Sequence, residues 1–196
     1  MREKLGLEGE SAIFGAIDIL GLHNNTLSFA RHPHVANGFT NQLLSYYLDS
    51  LCWIGNTDML QTLDLEGQKE ITSLDLASFQ NIELINLSSC TKLKHIILGD
   101  AGKLKHIDGL KDLSGVTCFC AKFDPNNTRL AEAFVDAQPG TIICTKWNEM
   151  ETADGENVNK TLTPLGGYRK TNGGSWEKVT WGQATNPWDT PAVETD

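Results

Sequence analysis

The sequence predicts an α/β fold. A short coil of repeated strand-and-loop units lies between a helical N-terminal cap and a helix-and-strand C-terminal cap, and an irregular tail follows. Three observations predict it. Large aliphatic residues return every eleven positions from Leu60 to Gly109. Segments with helical apolar spacing flank that stretch on both sides. From about Asn148 the chain turns rich in Thr, Gly, Asn and acid and poor in aliphatics. These place three regions: a cap over residues 1–58, the repeats with their closing cap over 59–147, and the tail over 148–196.

In the first region, "SAIFGAIDILGL" carries Ile13, Phe14, Ile17 and Leu20 at helical spacing, weakened by Gly15. A wider apolar face follows in "FTNQLLSYYLDSLCWIGN". There Phe39, Leu43, Leu44, Tyr47, Leu48 and Leu51 fall on one side, and Gly55 is placed to end the helix. Between them "HNNTLSFARHPHVANG" reads as a polar loop. A helical hairpin covering the first repeat is expected.

The repeats rest on three columns. Leu60, Ile71, Ile82, Leu93 and Leu104 form the first. Leu63, Leu74, Ile85, Ile96 and Ile107 form the second, and Leu65, Leu76, Leu87, Leu98 and Gly109 the third. Each unit reads apolar-x-x-apolar-x-apolar, then a loop of mostly polar residues. The last two apolar positions are two apart, which is strand spacing. A hairpin protein has no reason to hold one register through five units, whereas stacked units must.

Two elevens make 22, and at this period the chain resembles the bacterial leucine-rich repeats, including short surface repeats of gut bacteria with the form "LTSLDL". "LKHIDGLKDLSGVTCFCA" also resembles internalin-type repeats, with Ile107, Gly109, Leu110, Leu113, Val116, Phe119 and Ala121 in the patterned places. The resemblance covers roughly residues 60–147 and implies a solenoid that recognises a protein on its concave sheet. Where the family often carries a turn Asn, this chain has Gln68, Phe79, Cys90 and Ala101, so the polar ladder is incomplete.

Either half of each repeat could supply the recognition strand. The phase of "ITSLDL", "LKHIIL" and "VTCFCA" is preferred, because "TIICTKW" from Thr141 is spaced to add one more strand. Its outward, candidate protein-binding positions are Thr72, Ser73, Asp75, Lys94, His95, Ile97 and Thr117, with Cys118 and Cys120 beside them. Between the last two strands, Leu130, Ala133, Phe134 and Ala137 fall at i, i+3, i+4 and i+7 of a short amphipathic helix. Asp124 or Asn127 is placed to cap it, and Pro139-Gly140 to stop it. Such a helix would close the end of the core.

The tail cannot bury much by itself. "YRKTNGGSWEKVTW" looks like a hairpin around Asn172-Gly173. Trp176, Trp181 and Trp188 lie in the tail, either folded back as ordinary cover or presented as a docking strip. The core is expected to end near Trp147, and a fragment ending there to keep its melting transition.

A net charge of −9 argues against nucleic acid or an anionic membrane as partner. Glu8, Glu10 and Asp18 interrupt the first apolar stretch, so no secretion signal is read and a cytoplasmic or virion location is expected. The five cysteines match no common disulfide framework and read as free, small hydrophobes. His23, His32 and His34 lack a nearby acid or thiol, so no metal is assigned. Asp64, Asp75, Asn86 and Asp108 recur in phase and read as solvated positions between inward leucines.

No catalytic constellation, metal or cofactor motif is present, so the chain is not expected to be an enzyme. Two functions fit: a leucine-rich-repeat module that binds a protein, or a structural subunit of a bacterial or phage assembly. In the second, the chain would dock as a homo-oligomer or on a neighbour through its tryptophans.

Overall fold

A computed structural model describes residues 26–28, 44, 48–49, 57–154, 157–181 and 192–193. The described chain is α/β, with two mostly parallel sheets and few helices. The first half of the expected N-terminal cap, His23, His32, His34, Cys52 and Trp188 lie outside the described residues.

Strands β2 (Thr62–Asp64), β4 (Leu84–Asn86) and β6 (His106–Asp108) form one parallel sheet with β1 (Thr26–Ser28) at its edge. Strands β3 (Ser73–Asp75), β5 (His95–Gly99), β7 (Thr117–Cys120) and β8 (Ile142–Asp154) pair in parallel in the other. That second sheet continues antiparallel through β9 (Asn157–Lys170), β10 (Trp176–Thr180) and β11 (Ala192–Val193), for seven strands in all. From β2 to β7, consecutive strands alternate between the sheets, so the chain crosses the core at each eleven-residue step. Both halves of the repeat are therefore strands, and the preferred phase is the one that Thr141 onward extends.

The register follows the columns. Leu63 pairs with Ile85 and Ile85 with Ile107. Leu74 pairs with Ile96, and Ile96 with Cys118. Every residue of the three columns is buried, and the side chains of all but Gly109 meet in one core between the sheets. Each loop turns tightly. Gln68 N–H donates to Leu65 O at 3.0 Å, Phe79 to Leu76 at 3.0 Å, Cys90 to Leu87 at 3.0 Å and Ala101 to Leu98 at 3.2 Å. The incomplete polar ladder has one thiol rung, Cys90 Sγ donating to Leu65 O at 3.1 Å.

Asp64, Asp75 and Asn86 do more than face water. Each accepts a hydrogen bond from the backbone N–H two residues on, at 3.1, 3.0 and 3.0 Å, and so holds the strand exit in a local turn. Ser28 Oγ donates to Asp64 at 2.8 Å, and Asn86 Nδ2 donates to it at 3.1 Å. Alternate units, which stack side by side in one sheet, are also tied by surface ion pairs 22 residues apart: Lys92 to Glu70 and Lys105 to Glu83. Such exposed pairs each contribute only about 0–1 kcal/mol.

Gly109 breaks the third column for a steric reason. Its φ is +84°, and a Cβ there would lie 2.3 Å from Ser88 N. Leu110 takes over the apolar role, inside a 3-10 turn at Leu110–Asp112. The expected short helix is α1 (Thr128–Ala133). Leu130, Ala133, Phe134 and Ala137 are all buried. Asn127 stands at the cap position without a side-chain hydrogen bond, while Asp124 Oδ1 accepts Asn126 N–H at 2.8 Å.

Two expectations change. The polar loop before the second predicted helix contains β1, which pairs with β2 through Leu27 and Leu63; Leu27 carries enough apolar surface to be buried there. Leu44 and Leu48 are helical and reach the core, as the apolar face requires. The boundary expected at residue 147 falls inside β8, which pairs with β9 from Ile142 to Asp154. Two ring contacts, both on Phe123, tie the tail to the body. Phe123 stacks edge-on against Phe134, Tyr168 and Trp176, with centroids 5.5, 5.6 and 5.0 Å away. The hairpin around Asn172-Gly173 is the β9–β10 connection. The tail's few large side chains are placed where the repeat core would otherwise lie open.

Candidate recognition surface

The outward face of the seven-stranded sheet changes character across its width. On β3, Ser73 and Asp75 are exposed, and Thr72 just before them is exposed as well. On β5, His95 and Ile97 are half-buried, opposite Ser73 and Asp75 in register. Lys94 precedes β5, and its Nζ donates to Ser114 O at 2.6 Å. Its backbone N–H reaches Thr72 O at 2.9 Å. The candidate side chains Thr72, Ser73, Asp75, Lys94, His95 and Ile97 thus lie together on neighbouring strands.

Electrostatics at this site are mild. Burial, and then the Lys94 charge, hold His95 below its usual pKa, so it is neutral at pH 7. At the other end, burial and then the Asp75 charge raise the pKa of Asp49. The carboxyl groups of Asp49 and Asp75 therefore stand near one another.

The β7 residues behave differently. Thr117 faces outward beside His95 but is only 8% exposed. Cys118 and Cys120 were expected to face outward. Instead they point into the core, and Phe119 takes the outward place. A one-residue slip moves every side chain of a strand to the opposite face. The internalin-like spacing aligned Phe119 inward, whereas the beat of eleven carries Ile107 to Cys118 and Gly109 to Cys120. The beat was the better guide, because a cysteine is a small hydrophobe that fits an inner column.

Outward Phe119 joins Cys144, Val179 and Trp181 in a second buried cluster, with Ile97, Ile142, Trp147 and Leu162 packed against it. Phe119 and Trp147 meet edge-on with centroids 5.7 Å apart. Gly167 makes room for this strip. A Cβ there would lie 2.1 Å from Ile143 O. Sequence reasoning missed Phe119, Trp147 and Leu162 on this face, although Leu162 and Trp147 were large apolar residues in polar surroundings.

Trp176 and Trp181 are used internally. Trp181 is buried in the second cluster, and Trp176 packs on Phe123 with Lys170 Nζ 4.8 Å from its ring centroid. Cys90, Cys118, Cys120 and Cys144 are free and buried. Burial pushes the thiols of Cys90 and Cys144 up to about 12 and that of Cys120 to about 11. These groups are poor nucleophiles.

Among the described residues, no group of three or more His, Cys, Asp or Glu could hold a metal ion. An apolar dent lined by Leu76, Phe79, Ile82, Leu98, Ala101 and Leu104 has room for little more than a water molecule. Among the described residues, no helix is long and apolar enough to cross a membrane. No protein-family model, curated protein or solved structure matches the chain.

Proposed function

We propose that the chain is a leucine-rich-repeat solenoid that binds a protein partner through the outward face of its seven-stranded sheet, with no catalytic role. The carrying observation is the open polar patch of Thr72, Ser73, Asp75 and Lys94 around half-buried His95 and Ile97. Such a patch offers hydrogen-bonding groups at its rim and apolar surface at its centre, as protein interfaces do. The solenoid reading is supported by the 22-residue register between strands of each sheet. The free, buried thiols suit a reducing cytoplasm or a particle assembled there.

The test is paired capture. The full chain and a Ser73→Arg/Lys94→Glu variant are used as bait in the same lysate, beside a Lys105→Gln control away from this face. A partner retained by the parent and the control but lost by the face variant supports the reading. A partner that binds all three alike removes this face from the interaction.

The structural-subunit reading would need a different contact. With Trp176 and Trp181 packed inside, docking would fall to another feature, the β8–β9 hairpin that runs past the body of the sheet.

A further inference from the structure

Strands β8 and β9 are long for this fold, at 13 and 14 residues. On one side β7 covers β8 only at Ile142, Ile143 and Cys144. On the other side β10 covers β9 only from Gly166 to Lys170, and Trp181 N–H adds a bond to Leu165 O at 3.2 Å. Beyond these points, eight registered pairs from Trp147↔Pro164 to Asp154↔Asn157 continue as a ribbon of two strands. At ~3.4 Å per residue this arm is about 24 Å long. Among the described residues, no strand lies against either of its outer edges. A two-stranded ribbon is marginal in water, and three or more strands are needed for firm stability. A strand edge with no neighbouring strand offers backbone N–H and C=O groups to another strand.

The two edges differ in charge. The β8 edge carries Glu149, Glu151 and Asp154. The β9 edge from Asn157 to Thr163 reads "NVNKTLT", with Lys160 as its single charge. Thr, Val and Leu suit a strand, and nothing acidic guards this edge. Pairing β8 with a second β8 would set carboxylates opposite carboxylates, which destabilises. Pairing β9 with a second β9 would not. An antiparallel two-fold register centred on Thr161 opposes Thr161 to its own copy, Lys160 to Leu162 and Asn159 to Thr163, since directly opposed residues must share a face of the sheet. The two lysines do not face one another. Joining β8 of one copy to β9 of the next would pair opposite charges but would leave edges free and grow without end.

We propose that the β9 edge of the arm pairs with the same edge of a second copy of this chain, giving a closed dimer held by a four-stranded sheet. The pairing is independent of the face on β3 and β5 proposed above to bind a partner. Each copy carries a net charge of −9, so long-range repulsion opposes dimerisation and salt relieves it.

Sedimentation equilibrium of the full chain tests the proposal. The mass should rise with concentration from 21.5 kDa toward twice that value, and the association should tighten several-fold between about 0.05 and 0.5 M salt. An Asn159→Asp/Thr161→Asp variant makes the β9 edge acidic and should stay monomeric with an unchanged melting temperature. A Glu149→Gln variant on the other edge should still dimerise. A third variant joins Met150 to Thr161, which are paired in register, through an Asn-Gly turn; it keeps Leu162 on its cluster and removes the outer arm. It should fold and be monomeric. A parent that stays monomeric at high salt and high concentration overturns the proposal. So does a dimer that survives in the Asp variant or without the arm, or a parent that forms open-ended polymers.

Discussion

Replacing Phe123 by alanine should show whether the last third of the chain belongs to the folded body. Phe123 is 4% exposed, and its ring meets Phe134 from the repeat cap and Tyr168 and Trp176 from the tail. Truncating a buried Phe costs about 3–5 kcal/mol, and aromatic pairs contribute about 0.5–1.5 kcal/mol each beyond their area. Phe123→Ala should therefore cost about 4 kcal/mol. Trp176→Ala, at a half-buried site with one of those rings and Lys170 as neighbours, should cost about 2 kcal/mol. The double variant should cost less than the sum, with a coupling of about 1 kcal/mol. In urea, with a slope near 2 kcal/mol/M, Phe123→Ala should lower the midpoint by about 2 M. Far-UV dichroism and tryptophan fluorescence should follow one transition. If Trp176→Ala were silent, or the coupling were zero, the tail would not close the core. For the same reason a fragment ending at Trp147 should melt lower than the whole chain. It lacks Tyr168 and Trp176 from one cluster and Val179 and Trp181 from the other.

Three further outcomes are expected. Ile85→Asp would bury an unpaired carboxylate in the middle column and should cost about 3 kcal/mol or more by denaturant melts, while Asn86→Asp should cost about 1 kcal/mol, because the Asn86 amide bridges to Asp64. Gly109→Ala should destabilise by several kcal/mol, on the order of 3, since the new Cβ meets Ser88 backbone at a positive φ; a melting temperature equal to the parent's would refute the close packing of that turn. Cys90, Cys118, Cys120 and Cys144 should resist iodoacetamide in the native protein at pH 8 and react once it is unfolded, as read by mass. Because Cys90 and Cys144 are held up to about 12 against an ordinary 9.0, the unfolded chain loses those protons first, and native stability should fall as pH rises through that window.

What the sequence determined by itself was the inside of the repeats. Ile85, Ile96 and Ile107 are buried because apolar side chains at one register must stack on each other, and that rule needs no partner from elsewhere in the chain. Carried on by elevens, the same rule reaches Cys118 and Cys120, which the preferred phase had instead set outward. The helix around Leu130 and Phe134 and the turn at Asn172-Gly173 were legible for the same reason: each is a local pattern with a local cause. Only the tertiary structure decided the rest. Leu27 becomes part of a strand because β2 leaves an edge beside it, and no feature of residues 26–28 announces that. Trp176 and Trp181 close the core because Phe123 and Phe119 stand where the last strands pass, and Gly167 lets those strands come close. The candidate face narrowed in the same way. Thr117 is outward in register, yet it lies beside the strip where Phe119, Trp147 and Leu162 gather, while Thr72, Ser73, Asp75 and Lys94 stay open. Contacts between residues so far apart depend on how the sheets twist and end, and spacing along one strand carries no record of that.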